Sequence, residues 1–132
     1  MFVTRCAGRA RHSLSPGDTR LELKLAKSLE IQERYEQTVA LLEPLVRREP
    51  ENSEALRRLG SVYLESGRYD AAVPLLSSAV NETPADGLLH YYLGYALAGA
   101  GQQKTAVAEL RTALQLEPGN QTYESMLQKL LT

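Results

Sequence analysis

The chain has 132 residues, a formal net charge of −1, seven tyrosines, one phenylalanine and no tryptophan. Its length suits one domain with a buried core, and its near-neutral charge disfavours nucleic acid or an anionic membrane as a partner. No stretch approaches the roughly 18 apolar residues of a transmembrane helix, and the single cysteine, Cys6, excludes an internal disulfide. We therefore expect a cytoplasmic protein without a membrane span.

The first residues differ in charge from the remainder of the chain. Residues 1–18 hold three arginines and one aspartate, a net charge of +2, whereas residues 19–132 carry −3. The Pro16-Gly17 pair is typical of a boundary, so we predict that residues 1–18 form a basic, disordered N-terminal tail. This nearly acid-free segment with arginines and serines also resembles a mitochondrial presequence, and a targeting role for it stays open.

A 34-residue period organises the remainder of the chain. Leu59-Gly60 recurs one period later as Leu93-Gly94, and Pro84 recurs as Pro118. Because such matches occur at many positions in register, the period indicates a repeat protein. The units are, in chain order, 19–52, 53–86, 87–120 and a half unit at 121–131.

Each unit contains two apolar stripes with helical spacing, which predict a pair of helices. In the second unit Gly67 ends the first helix, and Asp70 can cap the second. Asn52 and Asp86 follow helix-terminating prolines by two residues and are placed to cap the next unit. The predicted helices are 19–32, 36–48, 53–66, 70–82, 87–99, 104–116 and 121–131.

The repeated residues resemble the tetratricopeptide repeat. In the second unit they are Leu59-Gly60, Tyr63, Gly67, Ala72, Leu76, Ala79 and Pro84. The resemblance implies an all-α fold, a right-handed α-solenoid of antiparallel helix hairpins with about seven helices over residues 19–131, the last being a capping helix. The first unit departs most from the pattern, since it has Glu22 at the usual tryptophan position and Glu33 at the usual glycine position.

No arrangement of residues supports catalysis or a cofactor. The two histidines, His12 and His90, and the lone thiol of Cys6 form no recognisable nucleophilic or metal-binding pattern. His90 stands at the usual tryptophan position, so we expect it to pack between helices. We therefore predict neither enzymatic activity nor a cofactor, metal ion or small-molecule substrate.

The resemblance also implies that the first helix of each unit lines a concave groove. Cations are expected toward one end, and apolar or aromatic residues toward the other: Lys24, Lys27, Arg57, Arg58, Leu88, Tyr91, Tyr92 and Tyr95. Because Tyr91 and Tyr95 are one helical turn apart, they should share a face, and exposed tyrosines are typical anchors for a bound peptide. Alternatively, one or two of these tyrosines complete the core between units.

These observations favour a protein-interaction module, such as a scaffold, adaptor or assembly factor, whose groove holds a peptide or helix of another protein. A partner with acidic and apolar residues would match the expected groove. The alternative is a structural subunit that self-associates through its end helices, with Leu21, Leu25 and Leu29 on the first of them. Basic and aromatic residues are not interleaved as in nucleic-acid-binding proteins, which disfavours that class.

Overall fold

The computed structural model describes residues 18–132. The predictions that concern the tail before Asp18, including those for Cys6 and His12, lie outside the described residues. Helices hold most of the described part, which contains no strand. They are α1 (Thr19–Ile31), α2 (Tyr35–Arg48), α3 (Ser53–Glu65), α4 (Tyr69–Glu82), α5 (Gly87–Gly99), α6 (Gln103–Leu116) and α7 (Gln121–Leu131).

Consecutive helices pack in antiparallel pairs, α1 with α2, α3 with α4 and α5 with α6, and α7 packs onto α6. Each first helix also contacts the next one, α1 with α3, α3 with α5 and α5 with α7. Because helices contact only near neighbours, the pairs stack into an α-solenoid. The all-α, seven-helix architecture is confirmed.

Small residues let the two helices of each pair approach closely. An ideal Cβ on Gly60 would lie 2.7 Å from the side chain of Leu76, and one on Gly94 would lie 3.1 Å from Cγ of Leu110. Ala26, at the same repeat position of α1, is completely buried. The small residues that recur every 34 positions therefore mark the places where paired helices cross.

The first helix of each pair (α1, α3 and α5) and the second helix (α2, α4 and α6) differ in how their N-termini are capped. The first helices and α7 are capped by side chains that accept a backbone N–H hydrogen bond: Asp18, Asn52, Asp86 and Asn120. The second helices have Arg34, Arg68 and Gln102 at this position and no capping side-chain bond. The prediction that Asp70 caps α4 is wrong, because Asp70 is already the second residue of this helix. At that position its negative charge interacts favourably with the positive N-terminal end of the helix dipole.

The turn between the two helices of each pair contains one residue in the left-handed backbone conformation. Gly67 and Gly101 have φ angles of 77° and 88°, and Glu33 at the corresponding position of the first unit has 59°. Glycine adopts this conformation without a steric penalty, but a side chain with a Cβ does not. The first unit therefore keeps the shape of the turn at a cost in conformational energy.

Candidate partner-binding groove

The groove face consists of the outward-facing residues of α1, α3 and α5. Residues separated by one repeat period occupy equivalent positions on α1, α3 and α5. Lys24, Arg58 and Tyr92 form one such row. A second row holds Lys27 and Tyr95, with Ser61 between them. One face thus changes from cationic at α1 to aromatic at α5.

At the α1 end, basic side chains surround a depression of about 280 Å³. Lys24 and Lys27 are exposed there. The lining residues are Arg20, Leu23, Lys24, Lys27, Glu54 and Arg58. The predicted lysines therefore come together on one surface, and Arg20 adds a third exposed cation that the site prediction did not include.

Arg58 lies in the same depression, but its charge is engaged within the protein. Its guanidinium lies 3.2 Å from a carboxylate oxygen of Glu30 on α1 and 3.1 Å from one of Glu54 on α3. Its side chain is only 13% exposed. The other predicted arginine, Arg57, is half-buried and forms no ion pair within residues 18–132. Lys24 and Lys27 are thus the more available of the predicted cations.

At the α5 end, the predicted tyrosines are half-buried and touch one another. The ring centroid of Tyr91 lies 5.8 Å from that of Tyr92 and 6.2 Å from that of Tyr95. The ring of Tyr91 also stacks on Tyr123 of α7, with centroids 4.9 Å apart. Leu88, one turn before Tyr92, is half-buried as well. Tyr92 and Tyr95 pack against the core, Tyr91 packs on Tyr123, and all three remain partly exposed.

Tyr69, at the start of α4, extends the aromatic surface beyond the predicted residues. Its ring stacks against Tyr95 with a centroid distance of 6.3 Å. The ring of Tyr69 lies against the backbone of Gly99, and a Cβ at position 99 would overlap this ring. The result is a continuous aromatic run from α7 across α5 to α4, which we call the tyrosine wall: Tyr69, Tyr91, Tyr92, Tyr95 and Tyr123.

The hydroxyl groups divide the tyrosines into two classes. Tyr63 donates a hydrogen bond to Glu43, and Tyr123 donates one to Glu117 at 3.3 Å. Burial, together with these carboxylates, raises the pKa of both phenols to about 12.

The other members of the tyrosine wall have no such partner. Within residues 18–132, no protein group is hydrogen-bonded to the hydroxyls of Tyr69, Tyr91, Tyr92 or Tyr95. Burial and the neighbouring phenols of Tyr95 and Tyr92 raise the pKa of Tyr91, so this hydroxyl stays protonated and can donate. Four hydroxyls at the aromatic end thus have no hydrogen-bond partner among residues 18–132.

His90 packs between helices, as its repeat position predicted. It is 7% exposed. Its Nδ1 lies 2.8 Å from a carboxylate oxygen of Glu109, and its Nε2 lies 2.8 Å from the carbonyl oxygen of Pro84. Both ring nitrogens thus have protein partners. Across the described residues, no group of three or more histidine, cysteine or carboxylate side chains is placed to hold a metal ion.

The repeat pattern and the helix pairs agree with a comparison to known families. The tetratricopeptide repeat model matches residues 23–87 and, overlapping them, residues 62–121. The chain belongs to the tetratricopeptide repeat family. Its described residues form three stacked helix pairs and one further helix. None of these helices is long and apolar enough to cross a membrane.

Similar proteins share the repeats but are longer. The uncharacterized protein y4yS of Sinorhizobium fredii is 30% identical over 92 residues, which are 68% of this chain and 50% of that protein. Interferon-induced protein with tetratricopeptide repeats 2 of Mus musculus is 30% identical over 82 residues, or 61% of this chain and 17% of that protein. The chain therefore spans half of the first relative and a smaller part of the second.

Among solved structures, MamA from Desulfovibrio magneticus is similar, with a TM-score of 0.83 and 26% identity. The match covers 92% of this chain and 67% of that one. This agreement extends over nearly the whole described fold.

Proposed function

We propose that the protein is a non-catalytic scaffold that holds a segment of another protein on its groove face. Family membership supports a general role in protein interaction. The observation that carries the finer proposal is the gradient along the groove face, with exposed lysines at α1 and the tyrosine wall at α5. A segment that crosses all three units would meet both ends.

The cationic end recognises an acidic part of the segment. Lys24 and Lys27 are exposed and close to Arg20 around one depression. Exposed charges act mainly by accelerating association and selecting the orientation of the partner, and salt screens them. The pairing of Arg58 with Glu30 and Glu54 fixes the wall between α1 and α3, so that arginine shapes the depression more than it attracts the partner.

The tyrosine wall recognises an apolar part of the segment. The edge-to-face contact of Tyr91 with Tyr95 and its stacking on Tyr123 restrict the rings before the partner arrives, so less side-chain entropy is lost on binding. Leu88 extends the apolar surface along α5. Because partly buried aromatic residues dominate many interfaces, this end should supply most of the binding energy.

Site-specific photocrosslinking tests this proposal. A benzoylphenylalanine at Ser61, midway between Lys27 and Tyr95 on the groove face, should form an adduct with a partner protein in cells. The matched control is Ser78, an exposed serine on α4. Combining Ser61 crosslinking with Tyr91→Ala and Tyr95→Ala should remove the adduct while circular dichroism stays helical. An adduct at Ser78 that survives the tyrosine substitutions would place the partner on another surface.

Self-association through α1 is a second candidate, favoured by one observation. Leu25 is 46% exposed, whereas Leu59 and Leu93 at the same repeat position are 2% and 6% exposed. The helix face that packs inside the stack at α3 and α5 is therefore open at α1. Sedimentation velocity over a range of concentrations, with and without Leu25→Glu, distinguishes this role, since a groove scaffold stays monomeric in both forms.

A further inference from the structure

We propose that the segment bound by the tyrosine wall is an extended, proline-rich strand in the polyproline II conformation, and not a helix. This inference rests on the proposed function, because it specifies the partner of the same groove face. It follows from the hydroxyl groups of the wall and from the arrangement of its rings.

The hydroxyls of Tyr69, Tyr91, Tyr92 and Tyr95 need acceptors when a partner covers them. The buried phenols of this protein show the rule, since Tyr63 and Tyr123 each bond a carboxylate. Leaving a buried hydroxyl unbonded is unfavourable by more than a typical hydrogen bond contributes. A partner that covers the wall must therefore bring several acceptors close together.

A polyproline II strand provides such acceptors, and a helix does not. Its carbonyl groups make no hydrogen bonds within the strand and point outward. The carbonyls inside an α-helix already accept from the helix's own N–H groups. A helix laid on the wall would desolvate the hydroxyls and offer them only side-chain acceptors, whereas each residue of an extended strand offers a backbone carbonyl.

The rings favour the same occupant. Tyr91 and Tyr95 are perpendicular, with an interplanar angle of 89°, and Tyr69 stacks beyond Tyr95. The edge of one ring thus meets the face of the other between Tyr91 and Tyr95, and grooves lined by aromatic residues accept proline-rich strands. A polyproline II strand is also ordered before binding, so it loses little conformational entropy.

The charge of the groove face adds a requirement for the sequence of the strand. Beyond α5, the face leads toward exposed Lys24 and Lys27 at α1. The partner segment should therefore carry prolines where it crosses the tyrosine wall and acidic residues on one side of them. This charge complementarity selects a proline-rich strand with an acidic flank.

Two fluorescent peptides test the inference. One contains a run of prolines followed by glutamates, and the other is an alanine-based helical peptide with the same number of glutamates. Fluorescence anisotropy should show the wild-type protein binding the proline peptide at least about tenfold more tightly. Equal or tighter binding of the helical peptide would overturn the inference.

A conservative substitution isolates the hydroxyls. Tyr91→Phe with Tyr95→Phe keeps both rings, so the fold should persist, and binding of the proline peptide should weaken by about fivefold or more through the lost hydrogen bonds. Tyr63→Phe is the matched control, because the Tyr63 hydroxyl donates to Glu43 of α2 and not to the tyrosine wall, and it should leave affinity unchanged. Undiminished affinity in the double variant would contradict the role of the hydroxyls.

The crosslinking result separates this inference from the proposed function. If neither peptide binds but the Ser61 adduct still depends on Tyr91 and Tyr95, the groove holds another kind of segment and only the present inference fails. If the adduct does not depend on these tyrosines, both fail.

Discussion

The first and third units share one backbone plan but differ in the chemistry of the groove face. Lys24 and Lys27 stand where Tyr92 and Tyr95 stand two repeat periods later. The packing position between them holds a small residue in both units, Ala26 and Gly94. Packing thus restricts the inward-facing positions of the repeat, whereas the outward-facing positions vary and can carry specificity.

The largest expected effect concerns the packing positions. Gly60→Leu forces a branched side chain into space that Leu76 fills, because an ideal Cβ already lies 2.7 Å from it. We expect the free energy of unfolding to fall by about 1–3 kcal/mol or more. Urea titration followed by circular dichroism measures this. Gly94→Ala is the milder comparison, with a Cβ 3.1 Å from Leu110, and a Gly60→Leu variant as stable as wild type would refute close packing at the crossing.

The capping difference between first and second helices predicts a smaller effect. Asn52 accepts the N–H of Ala55 at 3.1 Å, so Asn52→Ala should lower the free energy of unfolding by about 1 kcal/mol. Gln102, at the start of α6, makes no capping bond, and Gln102→Ala should have little effect. Thermal unfolding of the two variants checks this. Equal losses would mean that the caps do not distinguish the two kinds of helix.

Replacing Glu33 should make the first unit more like the others. Its φ of 59° is a conformation that glycine adopts freely. Glu33→Gly should therefore raise the free energy of unfolding by about 1 kcal/mol. The converse control is Gly101→Ala, which adds strain but meets no atom within 4 Å. If Glu33→Gly destabilises the protein in chemical denaturation, the glutamate side chain makes a contribution that outweighs the strain.

A separate expected effect is a loss of stability in alkali. The pKa of Tyr63 is raised from 10.0 to about 12, chiefly by burial and then by Glu43. Because the folded-state pKa lies above the unfolded value, the neutral phenol contributes stability that is complete below pH 10.0 and is lost as the pH rises toward 12. Tyr63→Phe should reduce the decline in urea midpoint over this range. A decline identical to that of the wild type would assign it to other groups.

The sequence was sufficient to predict the helix pairs, because they follow from the 34-residue period. The starts of α2, α4 and α6 were one residue late in the prediction, since no capping side chain marks them. The assignment of Asp70 as a cap failed for the same reason.

Contacts between units were not predictable from the period. Arg58 pairs with Glu30, which is 28 residues away, and Tyr91 stacks on Tyr123 of α7. Both contacts depend on how far one helix is displaced and rotated against the next. The proximity of Tyr69 to Tyr95 depends further on the missing side chain of Gly99, a position where the preceding unit has Glu65.

Binding kinetics with the partner segment that crosslinking identifies test most directly whether the groove face has a cationic end and an aromatic end with different roles. Lys24→Glu with Lys27→Glu should lower the association rate constant and weaken its salt dependence, since these charges are exposed. Tyr91→Ala with Tyr95→Ala should instead raise the dissociation rate constant by about 30-fold, the equivalent of about 2 kcal/mol. Both variants should remain helical. If the two pairs of substitutions change the same rate constant to the same extent, or if neither changes either one, the groove face does not bind its partner through two chemically distinct ends.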